Sequence, residues 1–390
     1  MDAPREKESG KWAAWPPVRL AAPLRHSLAL VLVWLVVVNL FALLSLNRLN
    51  IVPDTALEWM SPETYKVRKS WNVIDLHNRW DAYWYLDIAE NGYSVRGENT
   101  QANVVFFPLY PLLIRAFAPL AGGNLVLAGW IVSSLFLALA VCVLTLLTRE
   151  FHPQIDPRLP TVFLLAFPTA FFLNAVYSES LFLFLSLSMV TCALKRRFLL
   201  AALWAALASA TRVAGVFLLV LLLVEFIQAH GWRGLFTRRV WALAPAPLGV
   251  LVFFLYHWAA FGDFFLYLNV QPSYGRDFTM ELSDYLSIRN HPDLAHTVLE
   301  LFYALAAIVL GVVALVRFRP SYGVYMLFSL GVALSTGTTL GLARYAMVMF
   351  PIHLIGAGTR SSLGRSAWLF ASTLLLALNI IRFVNHYWAG

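Results

Sequence analysis

Apolar residues run in long uninterrupted blocks from about residue 27 to the C-terminus, with short polar stretches between them. The block at 28–46 holds about twenty residues without a charge, and at ~1.5 Å per residue a helix of that length crosses ~30 Å of hydrocarbon. Eleven such spans can be placed: 27–46, 124–148, 160–175, 178–194, 198–210, 213–229, 240–260, 298–316, 321–339, 343–358 and 366–385. Several are short for a full crossing, so broken helices or helices sunk against neighbours are expected, with nine to eleven in all. The expected fold is therefore all-α: a polytopic transmembrane helical bundle forming one domain over 27–390, preceded by a tail at 1–26.

Placing the N-terminus in the cytoplasm puts Arg149, Arg158, Lys195, Arg196, Arg197, Arg233, Arg238, Arg239, Arg317, Arg319, Arg360 and Arg365 on the inner side. More than half of the 29 basic residues, but under a third of the 21 acids, then face inward, as the positive-inside rule requires. The charged, Pro-rich start has no small-residue cleavage pattern after it and reads as an uncleaved signal anchor. The two long outer segments are 47–123 and 261–297, with interfacial helices expected in the first. Function is expected there, because long loops on a compact bundle carry sites.

Composition narrows the class. The chain is 60% hydrophobic and 13% charged, about half the charged share usual for a soluble domain. The net charge of +8 does not indicate nucleic acid, because the basic residues lie in short clusters between apolar blocks. Cys142 and Cys192 lie inside apolar runs and imply neither a disulfide framework nor a metal site. The nine histidines show no metal-ligand spacing, and HExxH, CxxC, P-loop and GxSxG patterns are absent.

The chemistry-bearing motifs cluster on the outer side. His77-Asn78-Arg79-Trp80-Asp81-Ala82-Tyr83-Trp84-Tyr85 leads to Asn91-Gly92-Tyr93. A helix from Ala82 to an Asn91-Gly92 stop, dense in aromatics such as Trp80, Tyr83 and Trp84, suits the membrane interface. Asp81 is then either its N-cap or a carboxylate stationed at headgroup depth to act on a lipid-borne substrate, or both. Asp87 and Glu90 read as a solvated face. Phe106-Phe107-Pro108-Leu109-Tyr110-Pro111 holds two prolines three apart, which predicts a kinked element that either packs or walls a lipid groove through Phe107, Pro108 and Tyr110.

Glu179, in Tyr177-Ser178-Glu179, sits at the tip of a tight outer hairpin, either solvated or paired with an arginine or a sugar hydroxyl. Arg212, in Thr211-Arg212-Val213-Ala214-Gly215, and Arg344, beside Tyr345, fall at outer helix ends. They either snorkel to headgroups or bind a phosphate. The acids Asp263, Asp277, Glu281, Asp284 and Asp293 of the second outer segment either help select an acceptor or are simply solvated.

Arg79-Trp80-Asp81 with Ile88-Ala89 and Gly92-Tyr93, then Phe107-Pro108-Leu109-Tyr110-Pro111, Phe167-Pro168 with Tyr177-Ser178-Glu179, and Thr211-Arg212 with Gly215 occur in an order that resembles the GPI mannosyltransferase II (PIG-V-type) family of GT-C glycosyltransferases. A weaker echo lies at Arg344-Tyr345. The resemblance implies a membrane glycosyltransferase that takes mannose from a polyprenyl-phosphate donor with inversion, Asp81 mapping to the catalytic acid residue of the first outer loop. Where eukaryotic members carry His-Phe after Trp-Asp-x-x, this chain has Trp84-Tyr85, so it looks like a prokaryotic relative and the GPI acceptor does not carry over.

These readings give one expectation. Asp81 is a general base, Arg212 or Arg344 meets the donor phosphate, no cofactor or metal is used, and the acceptor is a glycolipid, polysaccharide or protein. The protein is expected to be multi-pass, in the cell (inner) membrane of a prokaryote or the endoplasmic reticulum membrane of a eukaryote. A lipid-linked sugar transporter or flippase is the alternative, though charges avoid the helix centres and the long outer loop has no counterpart in a second half.

Overall fold

The structure is a computed structural model and describes residues 21–46, 72–97, 100–276, 294–336 and 341–389. The expected tail up to residue 20, all of 47–71 and the acids Asp277, Glu281, Asp284 and Asp293 lie outside the described residues. Those described form helices and connecting turns, with no strand among them.

The chain-order elements are α1 (Ala21–Ser45), α2 (Ala82–Asn91), α3 (Leu109–Phe117), α4 (Leu125–Phe151), α5 (Leu159–Leu165), α6 (Glu179–Leu194), α7 (Phe198–Ser209), α8 (Ala214–His230), α9 (Leu248–Phe261), α10 (Leu266–Asn269), α11 (Leu294–Val313), α12 (Pro320–Leu334), α13 (Leu342–Val348), α14 (Pro351–Ala357) and α15 (Ser362–Val384). Among the described residues four stretches are long and apolar enough to cross a bilayer: Ala22–Ser45, Leu125–Phe151, Val298–Phe318 and Ser362–Val384. Leucines and valines such as Leu32, Val36, Leu305 and Leu374 stand exposed on three of them, as a lipid-facing surface requires. Shorter apolar helices, α6 to α9 and α12 among them, pack between these. The centre is the succession α4 on α6, α6 on α7, α7 on α8 and α8 on α12, with α1 flanked by α4 and α15. This is a multi-pass membrane protein.

Two of the expected spans are not continuous helices. The span at 160–175 is α5 followed by a short 3-10 turn at Ala170–Leu173, and that at 343–358 is α13 and α14, divided at Met349-Phe350. The breaks coincide with Phe167-Pro168 and Phe350-Pro351, because a proline supplies no N–H and its ring clashes with the preceding turn. The span at 240–260 is likewise shortened, with a 3-10 turn at Arg238–Leu243 ahead of α9.

The helix expected at 82–91 is present, and Gly92 closes it at φ 83° with its N–H on Ile88 O. The double-proline motif differs from expectation. It is no kink but the start of α3: Pro108 precedes the helix and Pro111 falls in its first turn, where no N–H is required.

Close backbone approach organises the bundle at the end that carries Asp81. A methyl group at Gly215, at the start of α8, would collide with the Ala208 backbone, and one at Gly249 would collide with Ala206 and Ala210. Both α8 and α9 therefore lie directly on the C-terminal end of α7, which fixes the tight turn bearing Arg212.

Candidate functional site

Asp81 occupies the N-cap position of α2, yet its side chain makes no capping hydrogen bond. The carboxylate turns away from its own helix and accepts from Arg344 Nη1 through Oδ2 at 2.8 Å. The residue before it sets this direction. Trp80 adopts φ 55°, a left-handed conformation uncommon for a bulky residue. It is held there by edge-on packing against Trp388 at 5.3 Å. Tyr177 completes the brace: its hydroxyl donates to Arg79 O at 2.9 Å and accepts from the Asp81 N–H at 3.1 Å.

Glu179 opens α6, where the helix dipole favours a negative charge. Its side chain is fully buried, so it is not a solvated hairpin tip. Arg344 Nε and Nη2 both donate to its Oε1, at 3.0 and 2.8 Å, and Arg212 forms an ion pair with the same oxygen. Arg344 is thus a fork with one edge on Glu179 and the remaining amine on Asp81. A planar guanidinium can hold two carboxylates in this way and an ammonium cannot. The Arg344 guanidinium also lies over the rings of Phe172 and Tyr177, each at 4.8 Å. Arg212 lies over Tyr345 at 5.5 Å.

Access separates the two carboxylates. The Asp81 side chain retains 26% exposure, against 8% for Arg344 and none for Glu179. No hydrogen-bond partner of Asp81 Oδ1 is present among the described residues, so this oxygen can take a proton from an incoming hydroxyl. The neighbouring His77 is unsuited to that role. Burial, helped by the charge of Arg79, pushes its pKa down to about 3, and its ring stacks on Trp130 at 4.8 Å.

The structure therefore gathers Asp81, Glu179, Arg212, Arg344 and Tyr345 at one end of the bundle. It treats the proposed groove residues otherwise. Trp80, Trp84, Phe107 and Tyr110 are buried in packing; the Tyr110 hydroxyl meets Ser133 Oγ at 2.8 Å, and Phe107 lies against Phe253. Tyr83 is half-buried and edge-on to Trp84, and Pro108 starts α3. An apolar groove among the described residues lies between α11 and α15. It has a volume of about 510 Å³ and is lined by Phe167, Pro168, Tyr303, Ala346 and Trp368 among others.

With this geometry in place, the family can be stated. The mannosyltransferase (PIG-V) family profile matches residues 25–269, well over half of the chain. The chain belongs to the mannosyltransferase (PIG-V) family. A solved structure, the archaeal oligosaccharyltransferase AglB from Archaeoglobus fulgidus in complex with an inhibitory peptide and a dolichol-phosphate, is similar to 93% of this chain at 15% identity and a TM-score of 0.42. The chain spans 56% of the length of that protein. No curated protein matches the chain.

Three features of the site escape sequence reasoning. Tyr177 stands in a motif read for its glutamate, and its brace on the Asp81 peptide depends on contact across 96 positions. Asp87, read as solvated, accepts from the buried Asn103 Nδ2 at 2.8 Å and ties α2 to the loop ahead of α3. Arg276 lies in a loop read only for its acids. Of those acids Asp263 alone is described, and it holds its own turn, accepting from Phe265 N and Asn269 Nδ2 at 2.8 Å each.

Proposed function

We propose that this protein transfers a mannosyl residue from a polyprenyl-phosphate donor to an acceptor hydroxyl on the extracytoplasmic side of its membrane, with inversion, and that Asp81 is the general base. One observation supports the base assignment above others. Asp81 is a partly exposed carboxylate whose backbone and one oxygen are fixed by Tyr177 and Arg344, while the other oxygen is open. Such positioning lowers the entropic part of the barrier. In the proposed step the acceptor oxygen forms a bond to the sugar C1 as the bond from C1 to the phosphate oxygen breaks. The acceptor proton passes to Asp81 Oδ1, and the polyprenyl phosphate leaves with the bond's electron pair. A β-linked donor gives an α-mannoside.

The acidity of the leaving phosphate and nearby guanidinium charge suffice for departure, so the scheme uses no cofactor or metal. The long apolar chain of the donor suits the groove between α11 and α15, one wall of which is Ala346, two residues beyond Arg344. The N-terminus is then cytoplasmic. The membrane is the inner membrane of a prokaryote or the endoplasmic reticulum of a eukaryote, and the acceptor is a glycolipid, polysaccharide or protein.

The test uses purified protein in nanodiscs, polyprenyl-phosphate mannose carrying a labelled sugar, and acceptor fractions from native membranes. The expected result is label covalently attached to an acceptor as an α-mannoside. Label that crosses a proteoliposome membrane without forming a new glycosidic bond would establish the flippase alternative instead.

A further inference from the structure

The two arginines that the sequence nominates for the phosphate are both already engaged. Arg212 pairs with Glu179, and Arg344 divides its donors between Glu179 and Asp81. A guanidinium that leaves a buried carboxylate for a ligand strands that carboxylate without a partner, at a cost of several kcal/mol. The phosphate is better served by a cation whose charge is not committed.

Among the described arginines that approach this end of the bundle are Arg79, Arg96 and Arg276. Arg79 turns its donors to main-chain carbonyls, among them Asn78 O at 2.8 Å and Asp75 O. Arg96 is exposed and lies over the Trp84 ring at 4.9 Å. Arg276 differs from both. It is half-buried, and its one hydrogen bond to a side chain is a neutral contact with Gln271 Oε1 at 3.3 Å. No carboxylate lies within ion-pair distance of it among the described residues. Its electrostatic neighbours are Tyr345, Tyr267, Asp81 and Arg344, the surroundings of the site itself. The Tyr345 phenol foremost, with Tyr267 and Asp81, keeps this guanidinium above its usual range although burial acts the other way.

The placement of Arg276 is built into the fold. A 3-10 turn at Gln271–Tyr274 ends at Gly275, whose φ of 68° reverses the chain. Tyr274 pins the turn to the first outer segment: its hydroxyl donates to Ala102 O at 2.9 Å, and its ring sits edge-on to Trp84 and Phe106. Buried Gln271 then both caps the turn, its carbonyl accepting from Arg276 N, and orients the guanidinium through its side chain. Two segments far apart in sequence thus face one another, one carrying a carboxylate oxygen and the other a guanidinium that have no hydrogen-bonded ion partner among the described residues.

We propose that Arg276 is the ligand of the donor phosphate, and that Arg212 and Arg344 instead hold Glu179 and Asp81 in place. The inference deepens the transferase reading and rests on it for the identity of the lipid. A polyprenyl phosphate occupying the site would bring its anion between Arg276 and Tyr345, with Asp81 left free to face the acceptor.

The probe is polyprenyl monophosphate, with neutral polyprenol as the control, titrated against the full-length protein in nanodiscs. Arg276→Gln should weaken binding of the phosphate lipid by roughly 10- to 100-fold, the worth of a charge-assisted hydrogen bond. It should leave polyprenol binding and the thermal melt unchanged. Arg276→Lys, which keeps the charge and loses the fork, should recover part of the loss, and Arg96→Gln should stay within about threefold of the wild type. The proposal is overturned if the wild type does not distinguish the two lipids, if Arg276→Gln binds the phosphate as the wild type does, or if both lipids weaken alike. If Arg276→Gln does not fold, Arg276→Lys alone decides, since a lysine variant indistinguishable from wild type for the phosphate and an equally weak one for both lipids each refute a guanidinium contact. Arg276-dependent binding in a wild type that transfers no sugar would leave this assignment standing and remove the transferase reading.

Discussion

Two fully buried glutamates stand at opposite ends of the bundle, and their surroundings differ in kind. Glu225, near the far end of α8, has both oxygens engaged. Arg319 donates to it bidentately at 3.1 and 3.0 Å, Ser321 adds a bond at 2.6 Å, and Arg196 reaches the Glu225 carbonyl at 3.0 Å. Glu179 has both of its arginines on one oxygen, while Oε2 is buried with no hydrogen-bond partner among the described residues. One of those arginines is shared with a second, accessible carboxylate. The first cluster is closed on itself and ties α8 to α12 and the turn before α7. The second is left incomplete and opens towards Asp81. Burial of charge is common to both clusters; what sets the proposed site apart is the unequal sharing of partners.

The sharpest way to break the comparison is at its open end. Asp81→Asn retains the size of the side chain and removes the base, so transfer should fall by about 10²- to 10⁴-fold with little change in melting temperature. A variant that keeps full turnover in the labelled-donor assay would remove Asp81 from the mechanism. Next comes Glu179→Ala, which leaves two guanidiniums facing one another without their common partner. A loss of about 3–5 kcal/mol of stability is expected, seen as a much lower melting temperature in detergent.

Glu225→Ala should be milder, at about 1–3 kcal/mol, because Arg319 and Arg196 are partly exposed and water can take over their hydration. Turnover per folded molecule should stay at the wild-type value; a large fall in it would contradict the division between a closed and an open cluster. The smallest effect belongs to Tyr177→Phe. Two hydrogen bonds to the Arg79–Asp81 backbone are lost there, so turnover should fall several-fold while the fold weakens by only about 1 kcal/mol. If Asp81→Asn is combined with Tyr177→Phe, no further loss is expected, since the tyrosine acts through the aspartate.

Much of the site was legible residue by residue. Asp81 stood out in an aromatic-dense outer segment, Glu179, Arg212 and Arg344 as ionisable groups at the ends of apolar runs, and the stop at Asn91-Gly92 followed from glycine's tolerance of positive φ. Their pairing was not legible. The Arg344 contacts reach back 165 and 263 positions, and nothing local in a sequence encodes such distances. Asp81 shows the limit of a cap rule: the local preference is satisfied in position, yet a distant guanidinium takes the side chain. The double proline was misread because the rule against proline inside a helix does not apply to a first turn. The breaks at Phe167-Pro168 and Phe350-Pro351 were foreshadowed by the shortness of those spans. Arg276 gave no signal, since the role proposed for it rests on its lacking a carboxylate partner among the described residues, which only the tertiary structure reveals.

The left-handed Trp80 has a consequence for how far the motif can travel. A tryptophan in that conformation costs about 1–3 kcal/mol, and only the surrounding bundle, through Trp388 and the Tyr177 hydroxyl, compensates for it. Cut out as a peptide, or transplanted into another helical scaffold, the same run of residues would relax to an ordinary turn and swing its carboxylate elsewhere. The segment is thus not a self-contained cassette: the direction of its carboxylate is lent to it by partners some hundred and three hundred positions downstream.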